Sequence, residues 1–145
     1  MQKEEMMLTQ VHEHITSELQ QNARTDTIFV VTAIVFNLIV MGVNSSVAGE
    51  AASLNANPSN DLILLVLIIM SLMVNGIAVT ALNFGKKNRE KLIRGLLDMY
   101  QDNDVAKYYN ESLMAGYGKR YLLFIGVIIC LALTGIIVPL IIRYV

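Results

Sequence analysis

Two asparagines seven residues apart lie inside a long apolar stretch near the start of the chain. The stretch IFVVTAIVFNLIVMGVNSS, residues 28–46, places Asn37 in its middle and Asn44 near its end. Residues seven apart share one face of an α-helix, so both amides point the same way. A carboxamide donates and accepts hydrogen bonds, and it needs partners wherever water is excluded. We therefore expect each amide to bond to another helix, to another copy of the chain, or to water in a pore.

The two later apolar stretches carry polar and small residues at helical spacings. Asn75 lies fourteen residues after Asp61, and Ser71 lies one helical turn before Asn75. In the third stretch, Thr134 ends a stripe of small residues at positions 126, 130 and 134. Pro139 has no N–H, so it frees the carbonyl of the residue four positions earlier and permits a kink. The resulting candidates for interhelical or pore-lining contacts are Asn37, Asn44, Ser71, Asn75 and Thr134.

These polar residues support two interpretations. As links between helices, membrane amides contribute about 0.6–2 kcal/mol each, and small residues let helices approach closely. As pore-lining groups, Asn37 and Asn44 would form polar rings if copies of the chain assembled around an axis. Glu50 and Asp61 would then stand at the outer mouth and favour cations. Three spans cannot enclose a hydrated path alone, so a pore requires an oligomer, in which both interpretations can hold.

Other patterns fail the tests for a catalytic, metal or selectivity site. AGYGKR, residues 115–120, lacks the Thr-Val pair of a potassium filter and runs directly into two cations. A calcium loop starting at Asp98 lacks the required Gly and Glu. His12 and His14 are two apart and face different ways on a helix. The sequence therefore predicts no enzyme, no cofactor and no metal site.

Three windows long enough to span a bilayer carry these residues. Of the 145 residues, 54% are hydrophobic and only 16% are charged, against about 25% charged in soluble domains. Residues 28–49, 62–84 and 121–142 are almost free of charge, and about 20 apolar residues suffice for a transmembrane helix. The acidic segment before the first window does not resemble a signal peptide, so we expect that window to stay as an anchor.

The placement of Lys and Arg predicts the orientation. The segment 85–120 carries most of them, whereas 50–61 carries none. Cytoplasmic segments collect Lys and Arg near the membrane, so the N-terminus and 85–120 are predicted to be cytoplasmic. The outer loop 50–61 and the C-terminal residues 143–145 then face outward. The charge run is either such a topology signal or a site for anionic lipid. A net charge of −1 gives no reason to expect nucleic acid.

Apolar stripes continue beyond the membrane windows. Residues 1–27 are predicted to form an amphipathic helix, with a stripe from Leu8 to Leu19 and no Pro or Gly before Gly42. Residues 85–120 are predicted to form a helical hairpin around the polar turn QDND, 101–104. Its second arm carries Tyr108, Tyr109 and Leu113. The alternative for the N-terminal stripe is a helix lying on the membrane surface, against which its acidic polar face counts.

The predicted fold is an all-α integral membrane protein. Three transmembrane helices have helical extensions that form a cytoplasmic three-arm bundle. The predicted function is a small homo-oligomeric channel or pore in the lipid bilayer, conducting cations. The alternative is a non-transporting scaffold or anchor subunit whose cytoplasmic bundle binds a protein partner, which exposed tyrosines at 108 and 109 would favour.

Overall fold

The protein consists of three long helices that run side by side. In this computed structural model we describe the backbone of residues 2–53, 57–108 and 112–145, and the side chains of the same residues except 2–4, 108 and 112–115. Helix α1 is Gln2–Ala51, α2 is Ser59–Asp102 and α3 is Ser112–Tyr144. A 3₁₀ turn, Ala106–Tyr108, stands between α2 and α3. The side chains of Tyr108, Tyr109 and Leu113 in the predicted second arm lie outside the described part of the chain.

The first two helices are far longer than a bilayer requires. With 50 residues in α1 and 44 in α2, they extend over about 75 and 66 Å at 1.5 Å per residue. By length and composition, all three helices can cross a membrane. Insertion itself and the orientation of the termini stay predictions. We call the predicted cytoplasmic side inner and the other side outer.

The turns follow from local side-chain chemistry. Before α2, the Asn57 carboxamide oxygen accepts a bond from the Ser59 N–H at 3.0 Å, which closes a turn around Pro58. After α2, Asn103 Nδ2 donates to the Met99 carbonyl at 2.8 Å, and Asp104 adopts a positive φ of 58°. Asp is among the few residues that tolerate this left-handed conformation, so the helix ends there.

Helix α1 makes the most extensive contacts of the three helices. It packs along both α2 and α3, which contact each other over fewer residues. Small residues keep the helix axes close, while most large apolar side chains in the predicted spans face outward, as they would toward lipid. The central core cluster consists of Val30, Ala33, Ala78, Leu82, Tyr121 and Ile128.

Beyond the predicted spans, α1 and α2 continue together as what we call the inner arms, residues 2–27 and 85–102. Ile93 and Leu96 are buried in α2, and Ile15 and Leu19 are half-buried in α1. Near the far end, the rings of His12 and Tyr100 lie 5.8 Å apart. The apolar stripes of the two arms therefore face one another for part of their length.

Candidate functional site

Asn37 and Asn75 form a reciprocal pair in the middle of the predicted membrane region. Asn37 Nδ2 donates to Asn75 Oδ1 at 2.7 Å, and Asn75 Nδ2 donates to Asn37 Oδ1 at 2.9 Å. Each amide also donates within its own helix, Asn37 to the Ala33 carbonyl at 2.9 Å and Asn75 to the Ser71 carbonyl at 2.8 Å. Both residues are buried, so the pair joins α1 to α2 with every amide N–H used.

Ser71 lies beside this pair and is also buried. Its hydroxyl oxygen is 3.4 Å from Asn75 Nδ2, a longer contact than the bonds between the two amides. Together the three polar residues make one compact layer between α1 and α2. In hydrocarbon such a layer can bond well in only one register of the two helices.

Asn44 forms a hydrogen bond to the third helix. Its Nδ2 donates to the Gly135 carbonyl of α3 at 3.2 Å. That carbonyl is the one freed by Pro139, because proline offers no N–H four residues later. Asn44 is fully buried, and its Oδ1 has no hydrogen-bond partner among the described residues. The two asparagines of the heptad therefore reach two different helices.

Thr134 lies apart from these layers. Its hydroxyl donates to the Cys130 carbonyl of its own helix at 2.9 Å. Gly126 and Cys130 of the same stripe are exposed on the surface of the three-helix unit. The small stripe of α3 therefore faces away from α1 and α2 within one chain.

At the outer end, the two predicted mouth acids differ in their surroundings. Asp61 forms a bidentate ion pair with Arg143: Nε lies 2.6 Å from Oδ1 and Nη2 lies 3.0 Å from Oδ2. Hydrogen bonding to this guanidinium lowers the pKa of Asp61. Glu50 is exposed, and its carboxylate has no bond or ion pair to the described residues. Of these two acids, Glu50 is the one without an ion pair to the described residues.

Sequence reasoning missed a cluster where the inner ends of the three predicted spans meet. Asp26 of α1 is buried, and the Tyr121 hydroxyl of α3 donates to its carboxylate. A methyl group at Gly85 of α2 would collide with the same carboxylate. Asn22 Nδ2 donates to the Gly85 carbonyl at 3.0 Å. Each of these residues lies within a few positions of a span boundary, which is the signal that could have revealed them.

An apolar cleft opens near the far end of the inner arms. Leu8, Thr9 and His12 of α1 form one wall, and the end of α2 with the residue after it forms the other, through Met99, Tyr100 and Asn103. Val105 closes one side, and the cleft has a volume of about 260 Å³. Among the described residues, no group of three or more His, Cys, Asp or Glu side chains could hold a metal ion.

Comparisons with known protein families, with characterised proteins and with solved structures find no match. The function therefore has to be argued from these contacts.

Proposed function

We propose that this protein is a membrane-anchored scaffold whose inner arms bind an amphipathic helix of a partner protein. The observation that carries the proposal is the apolar cleft between α1 and α2 beyond the predicted spans. Leu8 precedes the first span by twenty residues, which is about 30 Å along a helix. At that distance from a bilayer, apolar surface would face water unless another segment or another molecule covered it.

The surface around the cleft suits a helical partner. Met6, Met7 and Val11 of α1 are 59%, 56% and 45% exposed. Exposed apolar groups that cluster on a soluble surface usually mark an interaction site, and methionine adapts to varied partners. A groove between two helices is the setting in which amphipathic helices place their apolar side chains.

The charges around the cleft favour a basic partner. The acidic residues here are all exposed: Glu5 near the start of α1, Asp98 and Asp102 in the last turns of α2, and Asp104 just after α2. Lys107 lies near them in the 3₁₀ turn. Complementary potentials steer association and select among partners. A partner helix with Lys or Arg beside its apolar face would match this end of the molecule.

The membrane part fits the role of an anchor. The amide N–H groups of Asn37 and Asn75 donate to each other's oxygens and to carbonyls of their own helices. No amide N–H of this pair is therefore left for water in a lumen. One N–H of Asn44 donates to the Gly135 carbonyl, and its Oδ1 has no partner among the described residues. These bonds support a closed three-helix unit in which polar groups join helices.

Site-specific photo-crosslinking tests the scaffold. A photoreactive amino acid at Leu8, in the wall of the cleft, should crosslink one partner protein in native membranes. The same probe at Gln10, exposed and roughly opposite on α1, is the matched control. The crosslinked partner segment should be a basic amphipathic helix. A synthetic peptide of that segment should bind the purified protein at least tenfold more weakly after Leu8→Asp, since the charge enters an apolar contact.

The same experiment can contradict the scaffold. Identical adducts from both probe positions would mean that the cleft has no special role. An adduct of twice the chain's own mass would make the occupant a second copy instead of a partner. No adduct from Leu8 in intact native membranes would leave the cleft without an occupant and end the proposal.

A cation channel is the second candidate, favoured by the unpaired Glu50 at the outer end of α1. A ring of copies would bring these carboxylates together and attract cations. Liposomes carrying the protein would then conduct cations, and Glu50→Gln would reduce the cation preference without changing the assembly. On the scaffold proposal, these liposomes pass no more ions than protein-free ones.

A further inference from the structure

We infer that the inner ends of α2 and α3 form a binding site for the phosphate of an anionic lipid, held by Arg89 and Arg120. The inference is independent of the proposed scaffold function, because a channel could use the same site. It rests on where the two guanidinium groups lie, on how they are held, and on one hydrogen-bond donor without a partner.

Both arginines lie at the depth of lipid headgroups in the predicted orientation. Arg120 directly precedes the third span, and Arg89 follows the end of the second span by five residues, or about 7.5 Å of helix. The headgroup region adds roughly 5–7 Å to each side of the hydrocarbon core. A phosphate attached to a membrane lipid is therefore within reach of both side chains.

Aromatic rings hold the two guanidinium groups in place. Arg89 lies 4.4 Å from the ring centroid of Tyr117, and Arg120 lies 5.2 Å from that of Phe124. Stacking on a ring fixes the plane of a guanidinium and leaves N–H groups in that plane available to an anion. The Arg89 guanidinium also contacts the Tyr121 side chain. The edge geometry matches two oxygens of a phosphate, which Lys cannot match in the same way.

Arg89 also has a donor that the protein does not satisfy. Its Nε is buried and has no hydrogen-bond partner among the described residues. Buried donors are nearly always paired, so an unpaired one indicates a missing water, ion or ligand. A charge run that served only as a topology signal would need neither this buried donor nor the two stacked rings.

Two small clefts meet at Arg89 and Tyr121. One is also lined by Lys86 and Tyr117, and the other by Asp26 and Arg120. Each holds about 10 Å³, which is room for one water molecule. The phosphate would therefore lie over the cleft mouths, with a water beneath it bridging to the buried Nε.

The surrounding charge favours an anion. Lys86 lines one cleft with Arg89, and Arg120 lines the other, whereas the carboxylates that line these clefts are Asp26 and Glu90. Asp26 accepts a bond from Tyr121, and Glu90 lies 3.9 Å from the ammonium of Lys86. Cations exceed carboxylates in this cluster, so a singly charged phosphodiester would be attracted.

Thermal unfolding in neutral detergent tests the site. Phosphatidylglycerol should raise the unfolding midpoint of the wild type, because a ligand that binds only the folded state stabilises it. The rise should be lost in Arg89→Gln and Arg120→Gln. Lys87→Gln, an exposed cation on the same helix that lines neither cleft, should keep it. Phosphatidylcholine and inorganic phosphate at equal concentration should cause no rise.

Each of the other outcomes contradicts either the site itself or the assignment of its phosphate to a lipid. An equal rise in all three variants would mean diffuse attraction to anionic detergent–lipid micelles. A rise with inorganic phosphate would identify a soluble phosphate as the ligand. No rise in the wild type would leave no site at all. If Arg89→Gln fails to fold, Arg120→Gln decides alone, because Arg120 is exposed and its loss should not impair folding.

Discussion

Asn44 shows how one side chain can supply a hydrogen bond that proline removes from a long apolar helix. Pro139 leaves the Gly135 carbonyl without its usual N–H, and an unsatisfied backbone group in hydrocarbon costs several kcal/mol. The Asn44 amide supplies the missing donor from α1. The kink-prone point of α3 is thereby tied to α1 in a single register.

This pairing predicts a specific coupling between two substitutions. Asn44→Leu should destabilise the protein by about 0.6–2 kcal/mol, the range for polar contacts between membrane helices. Combined with Pro139→Ala, the loss should shrink, because the alanine N–H can bond to Gly135 and Asn44 is no longer needed. A double-mutant cycle from unfolding in mixed micelles measures the coupling. Strict additivity of the two changes would show that Asn44 does not act through that carbonyl.

The sequence predicted that Asn37 and Asn44 share one helix face, but it did not predict their hydrogen-bond partners. Spacing assigns Asn37 and Asn44 to one helix face, whereas the relative shift of two helices decides which residue lies opposite. Asn37 therefore hydrogen-bonds to Asn75 of α2, whereas Asn44 donates to a backbone carbonyl of α3. Asp26 was overlooked because it reads as one more acid of a polar N-terminal segment. Only the packed structure shows it buried against Tyr121.

At the scale of elements, the outer ends of α2 and α3 are joined by the ion pair of Asp61 with Arg143. The pair lies where α2 begins and where α3 ends, so it closes the bundle on the side opposite the inner arms. Charged bidentate pairs give defined geometry, although exposure and salt weaken them. In sequence the two residues are 82 positions apart, and charge placement alone did not pair them.

The pair predicts a pH dependence of stability with a definite sign. Arg143 lowers the pKa of Asp61 in the folded protein. Its contribution is therefore fully present above the ordinary Asp pKa of 3.8 and is lost as pH falls through the lowered folded value. The difference in unfolding midpoint between wild type and Asp61→Asn should stay constant from about pH 5 to 8 and vanish in stronger acid. Glu50→Gln, which breaks no pair, should show no such difference.

Helix lengths were more predictable than helix ends. The absence of Pro and Gly before Gly42 indicated that the N-terminal helix enters the first span without a break, and α1 runs from Gln2 to Ala51. The polar cluster at 101–104 coincides with the end of α2 at Asp102. Helix α3 begins at Ser112, inside the predicted second arm, and the three residues directly before it lie outside the described part of the chain.

At the scale of the molecule, the polar contacts form layers along the bundle. Asp26 with Tyr121, Asn37 with Asn75, Asn44 with Gly135 and Asp61 with Arg143 succeed one another from the inner to the outer end. Each layer joins two helices of one chain. Asn37 and Asn75 use all their amide N–H groups within the protomer, so we expect this central pair to lie between helices and away from any central lumen.

Cysteine crosslinking at the central layer tests this claim most directly. In a Cys130→Ser background, Asn37→Cys with Asn75→Cys should oxidise to a crosslink within one chain, leaving the mass of a monomer. Asn37→Cys alone should give no covalent dimer in membranes, since position 37 faces α2 of its own chain. Ile39→Cys, exposed on α1, reports the background of random collisions. Efficient dimers from Asn37→Cys alone, well above that background, would place Asn37 at an axis shared by several copies and contradict the account.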